Sequence, residues 1–94
     1  MSRFLIAVPH AATAAECARA AETFIRTGSH FLARADWGCM DGDHRAWIIV
    51  DVANKQEAVA IVPPALRASA RVVGLNQFSI DQIEPILKRH GSAS

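Results

Sequence analysis

Two cysteines and four histidines are the residues of this 94-residue chain best suited to hold a metal or to act as nucleophile and base. Four of them form two spaced pairs, His10 with Cys17 and Cys39 with His44. Two thiolates and two imidazoles are the donor set of a tetrahedral zinc site, and the set also suits nickel or copper. The spacing matches no zinc-finger pattern with paired ligands in each half, so only the fold can bring the four together. The same residues allow a second chemistry, a thiolate activated by a neighbouring histidine. Cys39, facing His44 with Asp43 nearby, is then the better nucleophile, and Cys17 gains from a helix N-terminus. No oxyanion hole is evident. A Cys17–Cys39 disulfide is a third chemistry, favoured only under oxidising conditions. Taken singly, each cysteine also reads as a small core residue.

The elements that must position these residues follow from periodicity and caps. Arg3 to Val8 is a nearly continuous apolar run closed by Pro9, as in the middle strand of a sheet covered on both faces. Thr13 and Glu16 form a capping box that opens a helix over 14–27, with Ala14, Cys17, Ala18, Ala21, Phe24 and Ile25 inside and Gly28 as its stop. From His30 to Val52 the chain reads as two strands joined at Asp41-Gly42, a tight hairpin turn. That register opposes Phe31 to Val52, Ala33 to Val50, Ala35 to Ile48, Trp37 to Ala46 and Cys39 to His44 on one face. Leu32, Arg34, Asp36 and Gly38 then face Asp51, Ile49, Trp47 and Arg45 on the other. Asn54 and Glu57 cap a short helix ended by Pro63-Pro64, and Pro64 starts a further turn to Ser69. Arg71 to Phe78 is the last strand. Ser79 and Gln82 cap a final helix, with Pro85 inside it and His90-Gly91 at its end.

This order, β-α-β-β-α-β-α, predicts one α+β domain over 1–94 with a loose tail at 92–94. It is a ferredoxin-like β-α-β-β-α-β unit with an extra C-terminal helix, its four-stranded antiparallel sheet carrying the helices on one face. Right-handed crossovers put His10, Cys17, Cys39 and His44 at one rim and His30 at the other. Asp41 and Asp43 sit close enough in the turn to orient an imidazole from behind. The other sheet face shows Trp47, Ile49 and Leu32, which predicts either cover by the last helix or, preferred, a homodimer through that face.

Composition narrows the partners. Ten Lys and Arg against nine Asp and Glu leave a formal net charge of +1, with no basic excess to neutralise phosphates. Nucleic acid and membrane surfaces are therefore not expected partners. The longest apolar run, Ala46 to Val50, is too short to span a bilayer, and the N-terminus lacks a signal-peptide pattern, so the cytoplasm is the expected compartment. Arg67 and Arg71 flank a turn in the manner of an anion site, though such arginines are ordinarily solvated. No Walker, dinucleotide, nucleophile-elbow or His-Glu-x-x-His pattern occurs.

The element order, the length and the turn Trp37-Gly38-Cys39-Met40-Asp41-Gly42-Asp43-His44 resemble the small bacterial ferredoxin-like proteins of the dimeric α+β barrel group, most of them uncharacterised. The resemblance covers residues 3 to 78 and is mainly topological. It implies a homodimer, and one branch looks like small nickel-binding proteins with histidines and a cysteine or carboxylate as ligands. Other branches are monooxygenases or isomerases of aromatic compounds. No residue here maps onto their catalytic groups, and the chain has no tyrosine to serve as proton donor. Three readings stand: a metal-binding protein using Cys39, His44, Cys17 and His10; a small-molecule or enzymatic barrel with a cleft lined by Phe24, Trp37 and Ile48; and an interaction module without a site.

Overall fold

In the first strand, β1 (Ser2–Pro9), Phe4, Ile6 and Val8 are buried while Leu5, Ala7 and Pro9 are half-buried, the period of two that turns alternate side chains to opposite faces. The computed structural model describes residues 1–27 and 29–90. Along it follow α1 (Ala14–Thr27), a short α2 (His30–Ala33), β2 (Asp36–Trp37), a 3-10 turn at Cys39–Asp41 and β3 (Arg45–Val52). Then come α3 (Lys55–Ile61), a 3-10 segment at Pro64–Ser69, β4 (Arg71–Leu75) and α4 (Ile80–Arg89). The strands form a four-stranded sheet in the order β2-β3-β1-β4, every neighbouring pair antiparallel. The chain is therefore α+β, with one open antiparallel sheet. No helix among the described residues is long and apolar enough to cross a membrane.

One core forms on the even-numbered face of β1 and β3. Phe4, Ile6, Val8, Ala46, Ile48, Val50 and Val52 cluster there with Phe24 of α1, Leu32 of α2, and Ala58 and Val62 of the α3 region. The caps sit where the sequence places them. Thr13 Oγ1 accepts from Glu16 N at 3.1 Å, Asn54 Oδ1 from Glu57 N at 2.9 Å, and Ser79 with Gln82 forms a full capping box. Pro64 opens its 3-10 segment as expected. Arg67 is engaged rather than waiting for an anion: its guanidinium donates to Val62 O at 2.8 Å and Ala60 O at 3.0 Å, satisfying the last carbonyls of α3.

The second strand departs from expectation. Only Asp36 and Trp37 pair with β3, in the predicted register, Asp36 to Trp47 and Trp37 to Ala46. Residues 30–33 are helical instead of extended. Ser29 caps them, accepting from Phe31 N at 3.2 Å, and the turn drives Leu32 into the core at 2% exposure. The pairs Phe31–Val52, Ala33–Val50 and Ala35–Ile48 are thereby lost, and Leu32 leaves the open sheet face. The two-residue hairpin is also replaced. Gly38 O accepts from both Asp41 N and Asp43 N at 3.0 Å, and Gly42 closes the turn at φ 84°, a conformation that favours glycine.

Three smaller corrections follow. α1 buries Ala20 and Phe24, while Ile25 is 72% exposed, so its inward stripe is narrower than the apolar pattern. β4 ends at Leu75 and leaves Phe78 exposed. Phe24 and Ile48 are buried, and Phe24 lies against Trp37 with ring centroids 5.0 Å apart, so the proposed cleft lining is packed core. The readings of Gly28, Gly91 and the 92–94 tail lie outside the described residues.

The open sheet face carries Leu5, Ala7 and Trp47 beside the exposed Ile49 and Val73. α4 does not cover it, since Ile80, Ile86 and Leu87 are themselves exposed. The radius of gyration, 17.2 Å, records this projection. A chain of this length packed into one globule would measure about 12 Å.

Candidate metal centre

The β1–β3 ladder ends formally at Pro9 opposite Arg45, but His10 N donates to His44 O at 3.0 Å and extends it by one pair. His10 and His44 thus oppose each other on the face that buries Val8 and Ala46. Pro9 costs nothing here. Its nitrogen points away from β3, toward the side where β4 has already stopped with Arg71 opposite Ala7. The 3-10 turn that replaces the hairpin swings Cys39 over this pair. Cys17 arrives from the first turns of α1, its N–H bonded to Thr13 O at 3.0 Å.

The donor atoms of His10, Cys39 and His44 all lie within 4.8 Å of one another, each residue half-buried. His10 Nε2 is 2.9 Å from Cys39 Sγ, and Cys17 Sγ is 2.6 Å from the same sulfur. The tautomer of His10 follows from its other nitrogen. Nδ1 lies 2.9 Å from Ala11 O, an acceptor only, so it carries the proton and leaves the Nε2 lone pair facing the thiol. The His10 and His44 rings meet edge to face at 5.7 Å. His44 Nδ1 is buried without any hydrogen-bond partner, the only such side-chain atom found among the described residues. A buried polar group left unpaired is costly, and a ligand would satisfy it.

Cys39 is held above the ordinary thiol range. The hydrogen bond shared with Cys17 contributes most, followed by burial and the charge of Cys17, with a small addition from Asp43, against a backbone hydrogen bond at Cys39 that lowers it. Two adjacent sulfurs resist a shared negative charge unless a cation joins them. Asp43 is not behind an imidazole as expected. Its carboxylate is forked onto Arg45, with Nε at 2.7 Å and a terminal nitrogen at 3.2 Å, and this pair holds the Arg45 guanidinium more firmly protonated. Asp41 is exposed in the turn and has no hydrogen bond to either ring.

Zinc bond lengths of about 2.0 Å to nitrogen and 2.3 Å to sulfur imply donor separations of about 3.3–3.6 Å in a tetrahedron. To meet that shape the widest separation, no more than 4.8 Å, would close by at most about 1.5 Å, while the 2.9 Å between His10 and Cys39 would open by about 0.7 Å and the 2.6 Å between the two sulfurs by about 1.2 Å. All four residues named from the sequence therefore converge, but with changed partners: His44 faces His10 across the ladder, and Cys39 reaches both from the turn. The parity of His10 with Phe4, Ile6 and Val8 was legible. Its cross-strand partner was not, because the β1–β3 register depends on the shape of the intervening loop. The remaining histidines serve locally, His30 against the Phe31 ring at 4.2 Å and His90 at the C-cap of α4.

The fold and rim thus define an α+β protein with a cysteine–histidine donor group at the end of its two longest strands. No protein-family model, curated protein or solved structure matches the chain.

Proposed function

We propose that the chain is a small transition-metal-binding protein, with His10, Cys39 and His44 as ligands and Cys17 as the fourth. The observation that carries this reading is the convergence of three donor atoms within 4.8 Å around a histidine whose buried Nδ1 has no partner. Mixed imidazole and thiolate donors select zinc, nickel or copper over magnesium or calcium. The test is elemental analysis of untagged protein beside a Cys39→Ala, His44→Ala variant. Near-stoichiometric metal that the variant loses supports the assignment. No metal in either protein after reconstitution with zinc, nickel and copper refutes it.

The strand order supports a ferredoxin-like reading with α4 as an addition, and the exposed Ile49 and Val73 beside Trp47 favour a homodimer through the open sheet face. Ile49→Asp turns the dimer to monomer on size exclusion in that case. A wild-type chain that stays monomeric at all accessible concentrations ends the dimer reading.

A further inference from the structure

The metal reading leaves one feature unused, the contact between two thiols. Cys17 Sγ stands 2.6 Å from Cys39 Sγ, and His10 Nε2 stands 2.9 Å from that second sulfur on its other side. Both cysteines are free and half-buried. A disulfide needs about 2.05 Å between sulfurs, so the pair has to close by only about half an ångström. From this juxtaposition we infer that Cys17 and Cys39 form a redox-active dithiol that takes low-molecular-weight disulfides as oxidant, and that closing it expels the metal. The second half rests on the metal assignment above; the first does not.

The step balances as a two-stage exchange. Cys39 gives its proton to His10 Nε2, and its sulfur attacks one sulfur of the external disulfide. That S–S bond breaks, and the departing thiolate takes the proton from His10. Cys17 sulfur then attacks Cys39 sulfur and displaces the second external thiolate, which accepts the proton that Cys17 loses. Two protein thiols have lost two electrons and two protons, and one small disulfide has become two small thiols. Cys39 is the sulfur that attacks first because the histidine that accepts its proton lies against it, and Cys17 resolves because it lies against Cys39.

Exclusion of the metal follows from the sulfur itself. A disulfide sulfur is no longer a thiolate donor, so oxidation leaves only His10 and His44 to hold an ion. The coupling is reciprocal: a bound ion ties up the attacking thiolate, and it disfavours the disulfide at equilibrium by as much as oxidation weakens binding. Outer partners of metal ligands alone are worth roughly 10- to 100-fold in affinity, so losing a ligand outright weakens binding by at least about 100-fold.

The experiment uses the full chain and glutathione disulfide. Metal-free wild type is expected to fall from two free thiols to none and to lose the mass of two hydrogens, with no glutathione attached. Cys17→Ser is expected to stop as a stable mixed disulfide with glutathione on Cys39. In parallel, zinc-loaded wild type treated with the same oxidant should release zinc to a chromophoric chelator and recapture it after dithiothreitol. Wild type that ends with glutathione on both cysteines, or with both thiols intact, overturns the dithiol assignment. Zinc that stays bound while the thiol count drops to none overturns the coupling. Closure of the disulfide in a protein that never binds zinc, nickel or copper overturns the metal assignment and leaves the dithiol standing.

Discussion

Replacing His44 with leucine separates the ligand role of this histidine from its structural role, because the two push stability in opposite directions. In the metal-free protein His44 Nδ1 is buried and unpaired. Such a group carries a penalty of about 1–3 kcal/mol, and an apolar side chain of similar volume removes it. His44→Leu is therefore expected to leave the metal-free protein as stable as wild type or more stable by about 1 kcal/mol, after some loss from imperfect packing beside the His10 ring. The metal reverses the order. Zinc at a hundred times its dissociation constant stabilises the wild type by about 2.7 kcal/mol. For a domain of this size that is a rise in Tm of roughly 10–20 °C. The variant, with a ligand gone, should gain almost none of it. Urea unfolding monitored by tryptophan fluorescence, with and without zinc, reads all four stabilities, and Trp37 and Trp47 both lie on elements next to the rim. A variant less stable than wild type by 2 kcal/mol or more without metal would mean that Nδ1 has a partner and that the orphan argument is wrong. Equal zinc shifts in both proteins would remove His44 from the site.

Further outcomes follow from the same geometry. Gly38→Ala should destabilise by about 1–3 kcal/mol and weaken zinc binding, because its new Cβ would lie 2.6 Å from Trp47 Cζ3 and 2.7 Å from Asp43 O, and the rim turn must shift to make room; urea unfolding and zinc titration check both. Phe24→Ala should cost about 3–5 kcal/mol by urea unfolding, since Phe24 is 1% exposed and packs on Trp37, whereas a cleft residue would cost far less. Cys39 sets a pH dependence: its folded thiol lies above the ordinary value of 9.0, so the folded state binds the proton more tightly. That contribution to metal-free stability is complete below pH 9 and lost as the pH rises through the folded value, and Cys39→Ser removes the loss. Zinc affinity runs the other way, falling as the solution becomes more acidic because the ion must displace the Cys39 proton, which proton-release measurements would register.

Much of the fold was legible because local signals agreed. Thr13, Asn54 and Ser79 each start a helix where a short polar side chain precedes Glu or Gln by three, and Pro63-Pro64 ends α3 because proline forbids its continuation. The alternation in β3 also held, whereas β1, expected to be covered on both faces, buries only Phe4, Ile6 and Val8 because the other sheet face stays open. The region between Ser29 and His44 was misread for a physical reason. His30 to Ala35 is a short stretch with Phe31, Leu32 and Ala33 consecutively apolar, so that a strand and one helical turn fit equally well, and the Ser29 cap together with the core space for Leu32 decides for the turn. The four rim residues were found from topology alone, whereas their pairing depended on that same turn. Asp43 does not back an imidazole because Arg45, two residues beyond it, competes successfully for its carboxylate, and Asp41 is exposed in the turn.

The thin pairing of β2 gives the rim a significance for the unfolded chain. Only two residues of this strand join the ladder, so the segment from the end of α1 to the start of β3 is the part of the sheet least tied down by hydrogen bonds. Cys39 lies within that segment, at a separation of 29 residues from His10 and 22 from Cys17. A bond across either span, through an ion or between sulfurs, removes loop freedom worth about 3–4 kcal/mol from the denatured ensemble. Either bond would therefore also act as a clasp, contributing in a domain this small on the scale of a large buried side chain.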